Sequence, residues 1–194
     1  MRSDGDEEGF AFRIETPRLY LRPRLATDEA ALAVLAANPA IAPNICTTVP
    51  ADAGERMTIV ARADGAVVGA AVHGVTGLGS GVEIGLWIGE FGWFRGYATE
   101  AAHALIDRAF ADGTAGIVWC SNRVTNTRAR RVIEKCGFQF RGGGMVRIEG
   151  YGAFPIERFA LDRRNWASLK AWGASGNPSR DRAEADREPR ESAA

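Results

Sequence analysis

The strongest constraint on this chain is one stretch, Val82 to Glu100. Val82-Glu83-Ile84-Gly85-Leu86-Trp87-Ile88 alternates and reads as a strand with two usable faces. A short loop, Trp93-Phe94-Arg95-Gly96, leads into a segment whose apolar residues Ala98, Ala102, Leu105, Ile106, Ala109 and Phe110 fall at helical spacing. A strand that feeds a small-residue loop opening a helix leaves several backbone N–H groups without helical acceptors. They sit at the positive end of the helix dipole, which is a seat for a phosphate.

A second patterned stretch follows. Gly116 to Ser121 reads as a buried strand, and Asn126 to Phe138 as a helix closed by Gly137, a glycine at the C′ position. Together the two stretches resemble the GNAT superfamily of acyl-CoA-dependent N-acyltransferases. That family carries the coenzyme pyrophosphate on (Arg/Gln)-x-x-Gly-x-(Gly/Ala), and Gly96-Tyr97-Ala98 supplies the glycine and the small residue, with Trp93 in the first position. The family's second motif, Asn-x-x-(Ser/Ala) before a helix ending Glu-Lys-x-Gly-Phe, matches Asn126 to Ala129 and Glu134 to Phe138. Trp93 in that position, with Gly-Tyr-Ala-Thr-Glu-Ala running from Gly96, resembles the branch of ribosomal-protein-alanine N-acetyltransferases and their small-amine relatives. The resemblance spans about Thr16 to Trp166. It implies an α/β (α+β) GNAT fold: a mixed, mostly antiparallel central sheet splayed at its middle and flanked by helices.

The rest of the chain is compatible with one domain. At 194 residues it is large enough for a core without disulfides or metals. The formal net charge is +0, which gives no basis for a nucleic-acid or anionic-membrane surface. Cys46, Cys120 and Cys136 are odd in number and form no C-x-x-C pair, so they read as reduced thiols of a cytoplasmic protein. His73 and His103 lack companions at ligand spacing, so no metal is expected. No apolar run approaches the ~20 residues of a membrane span. Residues 1–12 and 173–194 are polar and charged and are expected to be disordered tails around a domain at 13–172.

Within the domain, Thr16 to Pro23 reads as the first strand, and Thr27 as the cap of a helix over Asp28 to Ala37. Met57 to Arg62 and Val67 to His73 form a hairpin, and Gly74 to Gly81 and Gly142 to Gly144 read as flexible hairpin loops. Met145 to Ile148 and Phe154 to Leu161 make a last pair of strands. Between Ala40 and Arg56 the family usually places a second helix beside the amine entrance. Here the segment has room for one or two turns at ~3.6 residues each. The acceptor side is then either unusually open or completed by another subunit, as in a homodimer.

Amine acylation needs a base for the ammonium proton, a polarised thioester carbonyl and an acid for the leaving thiolate. Glu83 is the candidate base, sharing a strand face with Gly85 and Trp87, and His73 is the second. The bland readings are an exposed strand carboxylate and a surface histidine. By resemblance, acetyl-CoA as co-substrate meets the backbone at Trp87 and Ile88, the loop Phe94, Arg95, Gly96, Tyr97, Ala98 and Thr99, and the side chain of Asn126. Asn126 is equally a helix cap. Arg131, within the basic run Arg128, Arg130, Arg131 and Lys135, is a candidate for the 3′-phosphate, against a merely solvated face. The family's usual thiolate acid, a Tyr at the position of Ile133 or a Ser at that of Ala129, is missing; Thr125, Ser121 and Cys120 are the polar side chains left nearby. The expected activity is acetyl transfer to a primary amine, of a protein N-terminus or a small molecule. The alternative is a non-catalytic acyl-CoA-binding or sensing domain.

Overall fold

The computed structural model describes residues 12–50, 52–76, 81–111, 113, 115–148 and 152–174. Eight strands form one sheet: β1 (Ile14–Glu15), β2 (Leu19–Pro23), β3 (Gly54–Ala61), β4 (Val67–Val75), β5 (Val82–Ile88), β6 (Ile117–Arg123), β7 (Gln139–Ile148) and β8 (Gly152–Asp162). Four helices accompany them: α1 (Glu29–Ala36), α2 (Tyr97–Ala111), α3 (Thr127–Lys135) and α4 (Arg163–Ala174). The spatial order is β1-β2-β3-β4-β5-β6-β8-β7. Every neighbouring pair is antiparallel except β5 and β6, which run parallel because α2 carries the chain back between them. Among the described residues no helix is long and apolar enough to cross a membrane.

The two faces of the sheet follow from alternation. His73 pairs with Glu55 and with Ile84, so these share one face, while Glu83, Gly74 and Gly54 share the other. The first face takes α2. Its buried stripe of Ala101, Ala102, Leu105, Ile106, Ala109 and Phe110 packs with Leu19, Ile59, Ile84, Ile88, Val118 and Leu161 into the main core. Truncating the fully buried Leu105 or Ile106 to Ala would cost about 2–5 kcal/mol. The second face takes α1 and the segment after it.

Three expectations change. Thr27 does not cap α1: Ala26–Asp28 form a 3₁₀ turn, and it is Asp28 that fixes the junction. Its buried carboxylate accepts from both Arg22 Nη atoms (2.6 and 2.7 Å), from Thr58 Oγ1 (2.7 Å) and from the Leu25 N–H (2.9 Å). Burial alone would raise this carboxyl, but the Arg22, Thr58 and Leu25 hydrogen bonds and the Arg22 charge outweigh it and hold it at about 2. Gly142 to Gly144 are not a loop. They lie inside β7, paired with Arg158, Glu157 and Ile156, where a bulge after Phe140 takes the φ of 141° that Gly142 tolerates.

The first strand is split, with β1 turning through Thr16, whose N–H bonds Leu19 O at 3.0 Å. Phe12 packs on the core, and α4 docks through Trp166, whose Nε1 donates to Asp107 at 2.8 Å. The remainder of the two expected tails, and residues 77–80 of the expected Gly-rich loop, lie outside the described residues.

Candidate active site

Strands β5 and β6 are paired only at Val82–Val118 and Glu83–Trp119. Beyond that point β5 follows β4 to Ile88, and β6 follows β8 to Arg123, so the two strands diverge and the sheet opens into a wedge. Glu83 stands at its closed end. At the open end β5 runs into the loop before α2, and β6 into the cap of α3. Two helix N-termini therefore face the same opening.

The loop is built by backbone conformation. Phe94 and Gly96 both take positive φ, 60° and 79°. The first helical bond of α2 runs from the Glu100 N–H to Gly96 O at 3.0 Å, so the N–H groups of Tyr97, Ala98 and Thr99 have no acceptor within the helix. Trp93 does not reach for the phosphate seat, since its Nε1 donates to Ile88 O at 2.8 Å and pins the loop to the end of β5. Phe94 is almost wholly exposed.

Arg18 and Glu100 brace this loop from behind. Arg18 donates to Arg95 O at 2.8 Å and to the Glu100 carboxylate at 2.7 Å, while Thr16 Oγ1 donates to Glu100 at 2.6 Å. Burial would raise the Glu100 carboxyl, yet these donors hold it below the ordinary range, so a negative charge sits in the first turn of α2. A Cβ at Gly96 would come within 3.2 Å of Arg18 Nη2. Arg128, the second residue of α3, lies over the Trp93 ring at 4.3 Å and closes the side of the opening. Arg131 is exposed on the same helix, and Arg130 is engaged with Glu134 and Glu157. It is therefore Arg128 that the structure brings against the loop. Asn126 caps α3, its side chain accepting from the Ala129 N–H at 3.1 Å.

Glu83 is buried, not the exposed strand carboxylate that its alternation also allowed. The segment after α1 explains this. Ile41 and Val49 are buried, and residues 43–48 cross the second face as a strap. Pro43 O accepts from Arg123 of β6, the Cys46 carbonyl passes over Gly85 of β5, and Thr48 bonds Glu83. A Cβ at Gly85 would meet its cross-strand neighbour Val72 at 3.1 Å, while Cys46 O and Thr47 of the strap would lie at 3.9 Å, ordinary contact. The second face is thus covered by this chain itself, with only a 3₁₀ turn at Ala42–Asn44 where the family usually has a helix.

Glu83 accepts from the Thr48 hydroxyl, the Thr48 N–H (3.2 Å) and Thr76 Oγ1 (3.0 Å). Of these, Thr76 is buried and Thr48 half-buried, so Thr48 is the polar group linking Glu83 to the surface. Trp87 is half-buried on the face of Glu83. His73 is not part of this cluster, because it lies on the α2 face.

The thiols are poor nucleophiles. Burial pushes Cys46 up to about 11, with the Glu83 charge adding and Arg123 opposing, and burial raises Cys120 and Cys136 as well. Among the described residues no cluster could hold a metal ion. Sequence reasoning missed Thr48 and Arg18 as parts of the candidate site, and it placed Arg128 only within the basic run of α3.

A parallel pair that opens into a wedge, with a glycine loop starting a helix at its mouth, leaves an unpaired strand edge and unsatisfied amide N–H groups facing one slot. The sequence matches the acetyltransferase (GNAT) domain family over residues 18–139, more than half of the chain, and the protein belongs to that family. GNAT acetyltransferases use acetyl-CoA as co-substrate. Solved structures with the same fold include a GNAT-family acetyltransferase from Bacillus anthracis (18% identity, 79% of this chain and 99% of that one, TM-score 0.65). Mycobacterium smegmatis RimJ, in complex with CoA-disulfide, is another (21%, 80% and 89%, TM-score 0.63). A third is a GCN5-related N-acetyltransferase from Brucella melitensis (19%, 87% and 86%, TM-score 0.66). No curated protein matches the chain in sequence.

Proposed function

We propose that this protein is an acetyl-CoA-dependent N-acetyltransferase that acts on a primary amine. The observation that carries the reading is the placement of Glu83: a carboxylate at the closed end of the wedge, linked to the surface through the Thr48 hydroxyl. Acetyl-CoA enters from the open end, its pyrophosphate on the loop from Phe94 to Thr99 and its pantetheine along the unpaired edge of β5 at Trp87 and Ile88. Asn126 serves the pantetheine arm as well as capping α3. Arg128 is better placed than Arg131 for a coenzyme phosphate, because it already lies against the loop.

In the reaction the amine nitrogen forms a bond to the acetyl carbon and the carbon–sulfur bond breaks. The ammonium proton passes through the Thr48 hydroxyl to Glu83; as the carbon–sulfur bond breaks, the nitrogen gives its second proton to solvent water, which protonates the departing thiolate. Positioned general-base catalysis of this kind is worth roughly 10²–10⁴ in rate. His73 is set aside as base because it lies on the opposite face from Glu83.

A binding-only role is the second reading, and one observation favours it. The family's two acid positions hold Ala129, whose N–H serves the Asn126 cap, and Ile133, which packs on the core. Neither side chain can give a proton to a thiolate. One assay separates the readings: CoA release from acetyl-CoA, screened over primary amines and N-terminal peptides. The transferase reading expects release with at least one amine. Binding of acetyl-CoA with no release from any of them favours the sensing role.

A further inference from the structure

On the strap-covered face, β6 and β8 present a group of polar side chains that the acyl-transfer chemistry does not use. Trp119, Ser121 and Arg123 alternate onto this face, the one that carries Glu83, and Arg158 is paired directly with Ser121. Ser121 Oγ is buried and has no hydrogen-bond partner, although buried hydroxyls are nearly always satisfied. Arg123 lies over the Phe154 ring at 3.9 Å and donates to Pro43 O, but no carboxylate is within ion-pair reach of it among the described residues. Other arginines of this chain differ: Arg18, Arg22 and Arg130 each hold a carboxylate. The Arg158 guanidinium lies over Trp119 at 4.6 Å. A partnerless buried hydroxyl flanked by two guanidinium groups has the donor set of a carboxylate receptor.

The distance to Glu83 fixes the size of what fits. Arg158 Nη2 is 3.5 Å from Thr76 Oγ1, which is 3.0 Å from Glu83 Oε2. Two hydrogen-bond lengths through Thr76 therefore bound the separation of the Arg158 guanidinium from the carboxylate that takes the amine's proton. An amine and a carboxylate on one small molecule, no farther apart than in an amino acid, span that interval.

We infer that Arg123, Arg158 and Ser121 form an acceptor-carboxylate site, so that the amine substrate is an amino acid held by its carboxylate. This rests on the transferase reading above for its catalytic meaning, but it is tested by binding alone.

The probes are the twenty common amino acids, each paired with its carboxamide, titrated calorimetrically into the whole protein saturated with CoA. For at least one pair the acid should bind roughly 10- to 100-fold more tightly than the amide, the worth of charge-assisted hydrogen bonds. Arg123→Gln should remove most of that ratio. Ser121→Ala, a smaller change that leaves the Pro43 contact in place, should reduce it. An undiminished rise in melting temperature with CoA shows that each variant is folded.

The inference is overturned if no acid outbinds its amide, or if the ratio is the same in both variants. Because the titration contains no acetyl group, the outcomes stay separable. Acid-selective binding without turnover would sink the transferase reading and leave this site standing. Equal binding of acids and amides, with turnover of amines, would do the reverse.

Discussion

Replacing Asp28 with Asn tests whether a buried ion pair holds the start of α1 in place. Asp28 joins the start of α1 to β2 through Arg22 and to β3 through Thr58, so this helix start is anchored to the sheet at one carboxylate. Asn keeps the shape but loses the charge and turns an amide N–H₂ toward a guanidinium. The folded carboxyl sits at about 2 against an ordinary 3.8, which corresponds to roughly 2–3 kcal/mol of stability at neutral pH. For a chain of this size that is a fall in Tm of about 5–10 °C.

The folded carboxyl titrates below the unfolded one, so its contribution is whole above about pH 4 and is lost as the pH falls toward about 2. Urea unfolding of wild type and Asp28→Asn at a series of pH values reads this directly. The two curves should be farthest apart at neutral pH and should converge in acid. A gap under about 0.5 kcal/mol at pH 7, no larger than an ordinary surface substitution gives, would refute the reasoning. So would a gap that stays constant down to pH 3.

Three further outcomes follow from the site. Gly96→Val forces a β-branched residue to a φ of 79° with its Cβ beside Arg18, and should abolish the rise in Tm that acetyl-CoA gives wild type; an unchanged rise would place the coenzyme elsewhere. Thr48→Val should lower turnover while leaving acetyl-CoA affinity intact, measured by CoA release and calorimetry, because it removes the hydroxyl between Glu83 and the surface. Ala129→Ser restores a hydroxyl at a position the family uses; if thiolate departure limits the rate, CoA release should rise by up to roughly 10²-fold.

What could be read from the residues was what short-range pattern controls. The strand Val82–Ile88 matches its alternation, Gly96 and Gly137 fall at positive φ as a loop and a helix end require, and Asn126 caps the helix it begins. The strap was illegible because residues 41–49 carry no period. Its contacts, Thr48 to Glu83 and Pro43 to Arg123, join positions 35 and 80 residues apart. Arg18 and Glu100 are 82 apart, and nothing local in Thr-Pro-Arg announces a brace for a distant helix.

The Gly142–Gly144 run misled for a physical reason. Glycine favours turns on its own, and only pairing with β8 on one side makes it a strand. Trp166 and Leu169 of α4 gain their meaning from Asp107 and Gly137, which local sequence does not place beside them.

The most direct test of the central claim is Glu83→Gln, with the rate of CoA release and the affinity for acetyl-CoA measured side by side. Gln keeps the shape and can still accept from Thr48 and Thr76, but it cannot take up the amine's proton. Turnover should fall by roughly 10²–10⁴-fold with coenzyme affinity unchanged. A variant that acetylates its amine at the wild-type rate would contradict the account, because the proton would then leave by a path that does not involve the carboxylate at the closed end of the wedge.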